Sequence, residues 1–261
     1  MRSAGTLLPD ERRRLIAERL RSNGSVSVAA LESEFDVSPM TVRRDLVELE
    51  RQGVARRTHG GAIRPDVSSH EDSFFQRLEE AVEDKQSLAE AAVDVLAPGD
   101  SVFLDSSTTA YFAARRIVRE NFRCTLLTNA APVMELACEG DAPHVELIGI
   151  GGTLRKLTRS FVGPQAVTGI EAHYADKVLF SVRGITNDGH LTDPDPLEAQ
   201  IKKTMIQHAR RAVLLVDESK FDRRALSAIS SLGDVDLILA AGVADRVLRR
   251  LKQSGIDVRS V

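Results

Sequence analysis

Arg43, Arg44 and Arg51 fall within one short stretch, "VSPMTVRRDLVELERQG", running from Val37 to Gly53. A guanidinium offers a planar fork of donors that fits phosphate oxygens and the outer edge of guanine, so arginines grouped on one helix are chemistry for reading nucleic acid. A second stretch, "LDSSTTA" from Leu104 to Ala110, places Asp105 beside Ser106, Ser107, Thr108 and Thr109. Hydroxyls and free backbone N–H groups at a helix start are chemistry for holding a phosphate. Each set works only if the surrounding elements aim it.

Around the arginines, Leu8, Arg12, Leu15, Ile16 and Leu20 recur at helical spacing after Pro9 and Asp10, and "SNGS" at Ser22 to Ser25 ends that helix. "SVAALESEF" gives a second helix, with Ser27 as N-cap and Leu31 and Phe35 on one face. The arginine stretch is the third, capped by Ser38, with Pro39 at its first position and Gly53 as its stop. At roughly 100° per residue, Val42, Leu46 and Leu49 point inward, while Met40, Arg44, Val47 and Arg51 face out, flanked by Thr41 and Arg43. Asp45 lies nearer the buried edge. Two capped helices joined by the short "DVS" link are what a helix-turn-helix requires. Beyond it, "VARRTHGGAIR" alternates apolar and basic residues about Gly60-Gly61, a hairpin whose turn is expected to use positive φ and whose Arg56, Arg57 and His59 reach phosphates or the minor groove.

The overall charge hides this asymmetry. The 261-residue chain is 43% hydrophobic and carries a formal net charge of -3. Residues 1–65 hold 12 arginines, no lysine and 9 acidic residues, against 23 basic and 29 acidic residues in the remainder. Two domains with different partners follow: a winged helix-turn-helix over 1–63, a polar linker over 64–73 and a larger α/β domain over 74–261. No apolar run is long enough to span a bilayer and no signal-peptide core follows the start, so a cytoplasmic location without membrane partners is expected. Cys124 and Cys138 lie in apolar contexts without metal-ligand spacing, which reads as two buried free thiols; no metal site, cofactor or catalytic residue is expected.

The segment from Gly24 to Ala62 closely resembles the N-terminal signature of DeoR-type bacterial transcription regulators. The resemblance implies a winged helix-turn-helix in which Ser38, Thr41, Arg43 and Arg44 approach double-stranded operator DNA, with Arg56, Arg57, His59 and Gly60 in the wing.

In the larger part, "SVFLD", "CTLLTN", "VELIGI", "KVLFSV", "AVLLVD" and "DLILAA" alternate with helical patterns, which indicates an α/β domain with a mainly parallel sheet. Ligands in such sheets bind beyond the C-terminal strand ends. There stand Asp105 to Thr109, Asn129 in "TNA", Gly151 and Gly152 in "GIGGTLR" with Arg155 and Lys156, "SVRGITNDGHLTD" with Arg183, and Lys220 in "VDESKF". Loops of this composition converging on one edge point to a pocket for a small phosphorylated ligand.

Through "LDSSTT", "LTNA", "GGTLR", "SFVGPQA", "DKVLFSVRGI", "LTDPDPLEAQIKKTMI" and "VDESKF", this part is also similar to the sensor domain of the same regulators, itself similar to ribose-5-phosphate isomerase. The likeness implies a phosphorylated sugar or related small anionic metabolite as effector, its phosphate held by Asp105 to Thr109, with Lys220 matching a shared lysine. It further implies a repressor of carbohydrate catabolism acting as a dimer or higher oligomer. Two departures stand out. Ser107 replaces the usual glycine, and "SVRGI" replaces "GADGI", so Arg183 either contacts an anion of the ligand or pairs with Asp188 or Asp193. An isomerase needs a carboxylate base where this chain reads "FSVR", which argues against an enzyme with a DNA-binding appendage. A constitutive DNA-binder whose large domain only oligomerises is the other alternative.

Overall fold

The structure is a computed structural model that describes residues 8–23, 25–52, 54–58, 60–63, 71–253 and 255–261; of residues 21–23, 56 and 63 it describes the backbone. The chain divides into two compact units, Met1–Arg77 and Leu78–Val261.

The first unit holds α1 (Pro9–Asn23), β1 (Ser25–Ser27), α2 (Val28–Phe35), α3 (Pro39–Arg51), β2 (Arg56–Thr58) and β3 (Gly61–Ile63). Ser27 and Ser38 cap α2 and α3, their hydroxyls accepting from the N–H groups of Ala30 and Thr41. The turn between these helices is tight because Asp36 ends α2 in the left-handed conformation, φ 51°, which aspartate tolerates better than most residues. Ile16, Leu20, Leu31, Val42, Leu46 and Leu49 form the core. Leu8, expected to share α1's apolar face, is instead 71% exposed, being ahead of the first turn.

An ion pair not anticipated from the sequence joins this core. Arg12 on α1 donates from Nε to Asp45 Oδ2 of α3 at 2.6 Å, and both residues are buried. Asp45 therefore does not merely sit near the buried edge; it fastens α3 to α1. β2 and β3 pair antiparallel as the wing, and β1 adds a third strand in the order β1-β3-β2. The expected positive φ at Gly60-Gly61 is not found. Glycine is needed at 61 because β1 crosses so close that a Cβ there would lie 2.0 Å from the Val26 carbonyl oxygen.

α4 (Phe74–Glu79) spans the division between the units, and α5 (Val82–Asp94) follows. Then come β4 (Ser101–Leu104), α6 (Thr108–Arg119), β5 (Cys124–Thr128), α7 (Ala131–Glu139), β6 (Val145–Gly149), the hairpin β7 (Thr153–Arg155) and β8 (Ser160–Val162), and α8 (Pro164–Glu171). β9 (Lys177–Phe180), β10 (Gly184–Ile185), β11 (His190–Asp193), α9 (Pro196–Gln207), β12 (Ala212–Asp217), β13 (Ser227–Ser231), β14 (Leu237–Ala241), α10 (Asp245–Gln253) and β15 (Val258–Ser260) complete it.

Seven strands form one parallel sheet in the order β15-β14-β12-β9-β4-β5-β6. The mainly parallel α/β domain read from the sequence is the fold observed. Alternation along the strands feeds two apolar layers. Val102 and Leu104 of β4 pack with α5, α6 and α7, while Phe103 packs on the opposite face with α8, α9 and α10. A small antiparallel sheet, β10-β11-β13, lies on that second face and was not anticipated. The strand order reverses at β4, whose two neighbours are β5 and β9, so the crevice outside β4 and β9 is the topological switch point.

Cys124 is buried, and its thiol is pushed up to about 11, first by burial and then by Asp100. Cys138 corrects the reading of two buried thiols: it is exposed, in the outward-facing last turn of α7. Among the described residues no helix is long and apolar enough to cross a membrane.

Candidate nucleic-acid interface and effector site

On α3, Met40 is 58% and Val47 46% exposed, Arg43 and Arg44 are exposed, and Ser38 and Thr41 stand at the helix start. The outward face is therefore the one the spacing implies. Its arginines are not equivalent. Arg43 and Arg44 carry no ion pair among the described residues, whereas Arg51 grips Glu48 through Nε at 2.9 Å and Nη2 at 2.6 Å. That fork holds the Glu48 carboxyl down to about 2 and raises Arg51. Arg51 thus reaches a phosphate only by giving up a bidentate partner. In the wing, the backbone N–H of Arg57 donates to Glu50 Oε1 at 2.9 Å, tying β2 to the end of α3. Gly60 is exposed in the turn, Arg56 is described by its backbone in β2, and His59 lies outside the described residues, as does Gly53.

At the switch point of the larger unit, Asp105, Ser106, Ser107, Thr108, Thr109 and Asn129 are all buried. Asp105 ends β4 and is a hub. Ser107 donates to Asp105 Oδ1 from Oγ at 2.5 Å and from its N–H at 3.1 Å, the Ser181 N–H reaches Oδ2 at 3.3 Å, and Lys202 of α9 pairs with Oδ2. Burial works against the Lys202 ammonium, yet Asp105 first, then Asp193 and Glu198, hold it above its ordinary value. Ser107 has φ -73° and caps α6 by accepting from the Ala110 N–H, so its backbone does not call for glycine.

Glu198 is the second hub. It accepts from Ser106 Oγ at 2.9 Å, Thr158 Oγ1 at 2.7 Å and Ser160 Oγ at 2.5 Å. Arg155 stands 4.0 Å from Glu198 and donates to Asp195 at 3.1 Å and to Thr158 at 3.2 Å. The hydroxyls therefore differ in use from the expectation. Ser106 and Ser107 spend their single hydrogens on Glu198 and Asp105, so they do not donate to a phosphate, which is left to backbone N–H groups and cations.

Asn129 donates to the Phe161 carbonyl at 2.9 Å, and its buried Oδ1 has no partner among the described residues. Gly151 is open, but a Cβ at Gly152, φ 151°, would stand 2.8 Å from the Val162 carbonyl; packing against β8 requires that glycine. Lys220, beyond β12, lies 3.5 Å from Asp217. Burial pushes its ammonium down, Asp217 opposes this, and Arg183 pushes it lower. Asp188 stands 3.6 Å from His190, and Asp193 stands 3.9 Å from Lys202.

Glu198 and Lys202 were missing from the residues singled out as ligand-binding. The signal was present: they sit at i and i+4 on α9, on the same face as the buried Ile201 and Met205, where a solvated pair would not stand. As arranged, the Asp105 and Glu198 carboxylates are engaged by interior hydroxyls, N–H groups and the Lys202 ammonium.

Two family models match the chain: the DeoR-like helix-turn-helix domain over residues 12–67 and the DeoR C terminal sensor domain over residues 80–240. The HTH-type transcriptional regulator GlpR of Haloferax volcanii is 34% identical over 97% of this chain and 98% of that protein. The lactose phosphotransferase system repressor of Staphylococcus epidermidis is 31% identical over 86% of this chain and 88% of that protein. A ribose 5-phosphate isomerase from Methanocaldococcus jannaschii superposes with a TM-score of 0.39 at 18% identity, covering 54% of each chain. With one model matched at the arginine-bearing helices and the other across the parallel sheet, the chain belongs to the DeoR family of helix-turn-helix transcription regulators.

Proposed function

We propose that the protein represses a carbohydrate operon and is released from its operator by a phosphorylated sugar bound outside β4, β9 and β12. Arg43 and Arg44 read base edges, and Arg57 and the wing backbone position the domain on phosphates. The observation that carries the effector reading is the buried polar floor at the switch point, with Asp105, Glu198 and Lys202 fully engaged and Arg155, Arg183 and Lys220 bringing cationic charge. The relative in Staphylococcus epidermidis named a lactose phosphotransferase system repressor supports a sugar-linked role. Binding as a homo-oligomer to repeated half-sites suits a helix-turn-helix, and linkage requires the effector to favour the form that leaves DNA.

The test combines two measurements on the full chain. A panel of sugar phosphates is expected to contain members that raise the melting temperature and displace the protein from operator DNA. Stabilisation by none of them would overturn the effector reading. Purified protein is expected to interconvert no pentose phosphate; measured turnover would favour the enzymatic alternative, for which Glu198 and Asp193 are the available carboxylates.

A further inference from the structure

β9 and β12 are neighbours in the parallel sheet, with Ala212 opposite Val178 and Leu214 opposite Phe180. Their extensions stay together past the sheet: Ile185 bridges Phe221 in parallel, and the Arg223 N–H donates to the Ile185 carbonyl at 3.2 Å. Arg183 and Lys220 lie two residues and one residue ahead of that bridge, and so stand side by side at the C-terminal ends of adjacent strands. The backbone at Arg183 is fixed from both sides. Its N–H donates to the Thr192 carbonyl at 3.1 Å, and Gly184 is pressed so close to Arg223 that a Cβ would lie 2.5 Å from the Arg223 carbonyl oxygen.

Two cations thus stand together in a half-buried place; burial first, and then Arg183, push the Lys220 ammonium down, while Asp217 and Glu80 oppose them. Asp217, 3.5 Å from Lys220, already accepts from the Ser219 N–H at 2.8 Å. An anion between Arg183 and Lys220 relieves the repulsion, and the guanidinium fork fits a carboxylate or phosphate in two-point contact.

We propose that Arg183 and Lys220 form a second anion subsite, which takes a carboxylate or a second phosphate on the effector and selects sugars charged at both ends over simple monophosphates. The inference rests on the sugar-phosphate reading above and names the ligand class. The shared chemistry is a second anionic group; matched probes separate its two sources.

The experiment measures affinities of the full chain for gluconate 6-phosphate against glucose 6-phosphate, and for fructose 1,6-bisphosphate against fructose 1-phosphate and fructose 6-phosphate. The expected result is that at least one doubly anionic probe binds the parent about tenfold or more tightly than its monophosphate partner. Arg183→Ala is expected to bring that ratio close to one, and Arg183→Lys, which keeps the charge and guards against a folding defect, to retain part of it. Equal binding of partners by the parent, or a preference that survives Arg183→Ala, overturns the second subsite and leaves the sugar-phosphate reading standing. Binding of none of the five probes overturns both.

Discussion

The outer face of α3 carries Arg43 and Arg44 in water over an apolar core, whereas the switch point of the larger unit hides Asp105 at 0%, Glu198 at 2% and Lys202 at 4% exposure. Exposed arginines keep their charge cheaply and leave it available to a polyanion. Buried charges survive only when paired and hydrogen-bonded, so the larger unit surrounds each with donors or a counterion. The first arrangement gives reach. The second gives a fixed surface against which a small ligand can be discriminated.

The sharpest way to break this contrast is Lys202→Met. It leaves Asp105 and Asp193 facing the interior without their ammonium, and the larger unit is expected to lose about 3–5 kcal/mol in chemical denaturation. A loss under about 1 kcal/mol would mean that the buried charges are not mutually dependent. Arg12→Ala makes the same test in the smaller unit. Arg13 stands 3.5 Å from Asp45 and covers part of the deficit, so a loss of about 3 kcal/mol is expected, confined to that unit's transition.

Substitutions at the surface should spare stability and change binding. Arg44→Ala is expected to remove about 1–3 kcal/mol of sequence-specific affinity. Arg57→Ala is expected to weaken binding to all sequences alike and lower the salt dependence by about one ion. Band-shift titrations over several salt concentrations tell these apart, and equal behaviour of the two variants would erase the division between reading and positioning. The smallest effect is a titration. The Glu48 carboxyl should ionise at about 2 by NMR and return toward the ordinary glutamate range in Arg51→Ala. Because its folded value lies below the unfolded one, the pair's contribution is present above the unfolded pKa and fades as pH falls toward the folded value.

Elements with a strong local signal were legible. The Ser27 and Ser38 caps, the Val42-Leu46-Leu49 stripe and six of the sheet's seven strands, all but β15, could be read because each is written in spacing and capping chemistry. What could not be read depends on contacts distant in sequence. Arg12 looked like a polar residue on an apolar face until Asp45, 33 positions later, accounted for it. Gly61 looked like a turn glycine, but its reason is β1 passing overhead. Glu198 lies 92 residues from Ser106, and Lys202 lies 97 from Asp105, so only the folded sheet brings the floor together.

The Glu198 hub also ties distant segments to one point. Each hydroxyl owns one hydrogen, and Ser106, Thr158 and Ser160 aim theirs at the same carboxylate. Ser106 follows β4, Thr158 and Ser160 belong to the β7-β8 hairpin, and Glu198 lies on α9, so three segments far apart in the chain meet at one buried carboxylate and a shift of any one of them is felt by the other two.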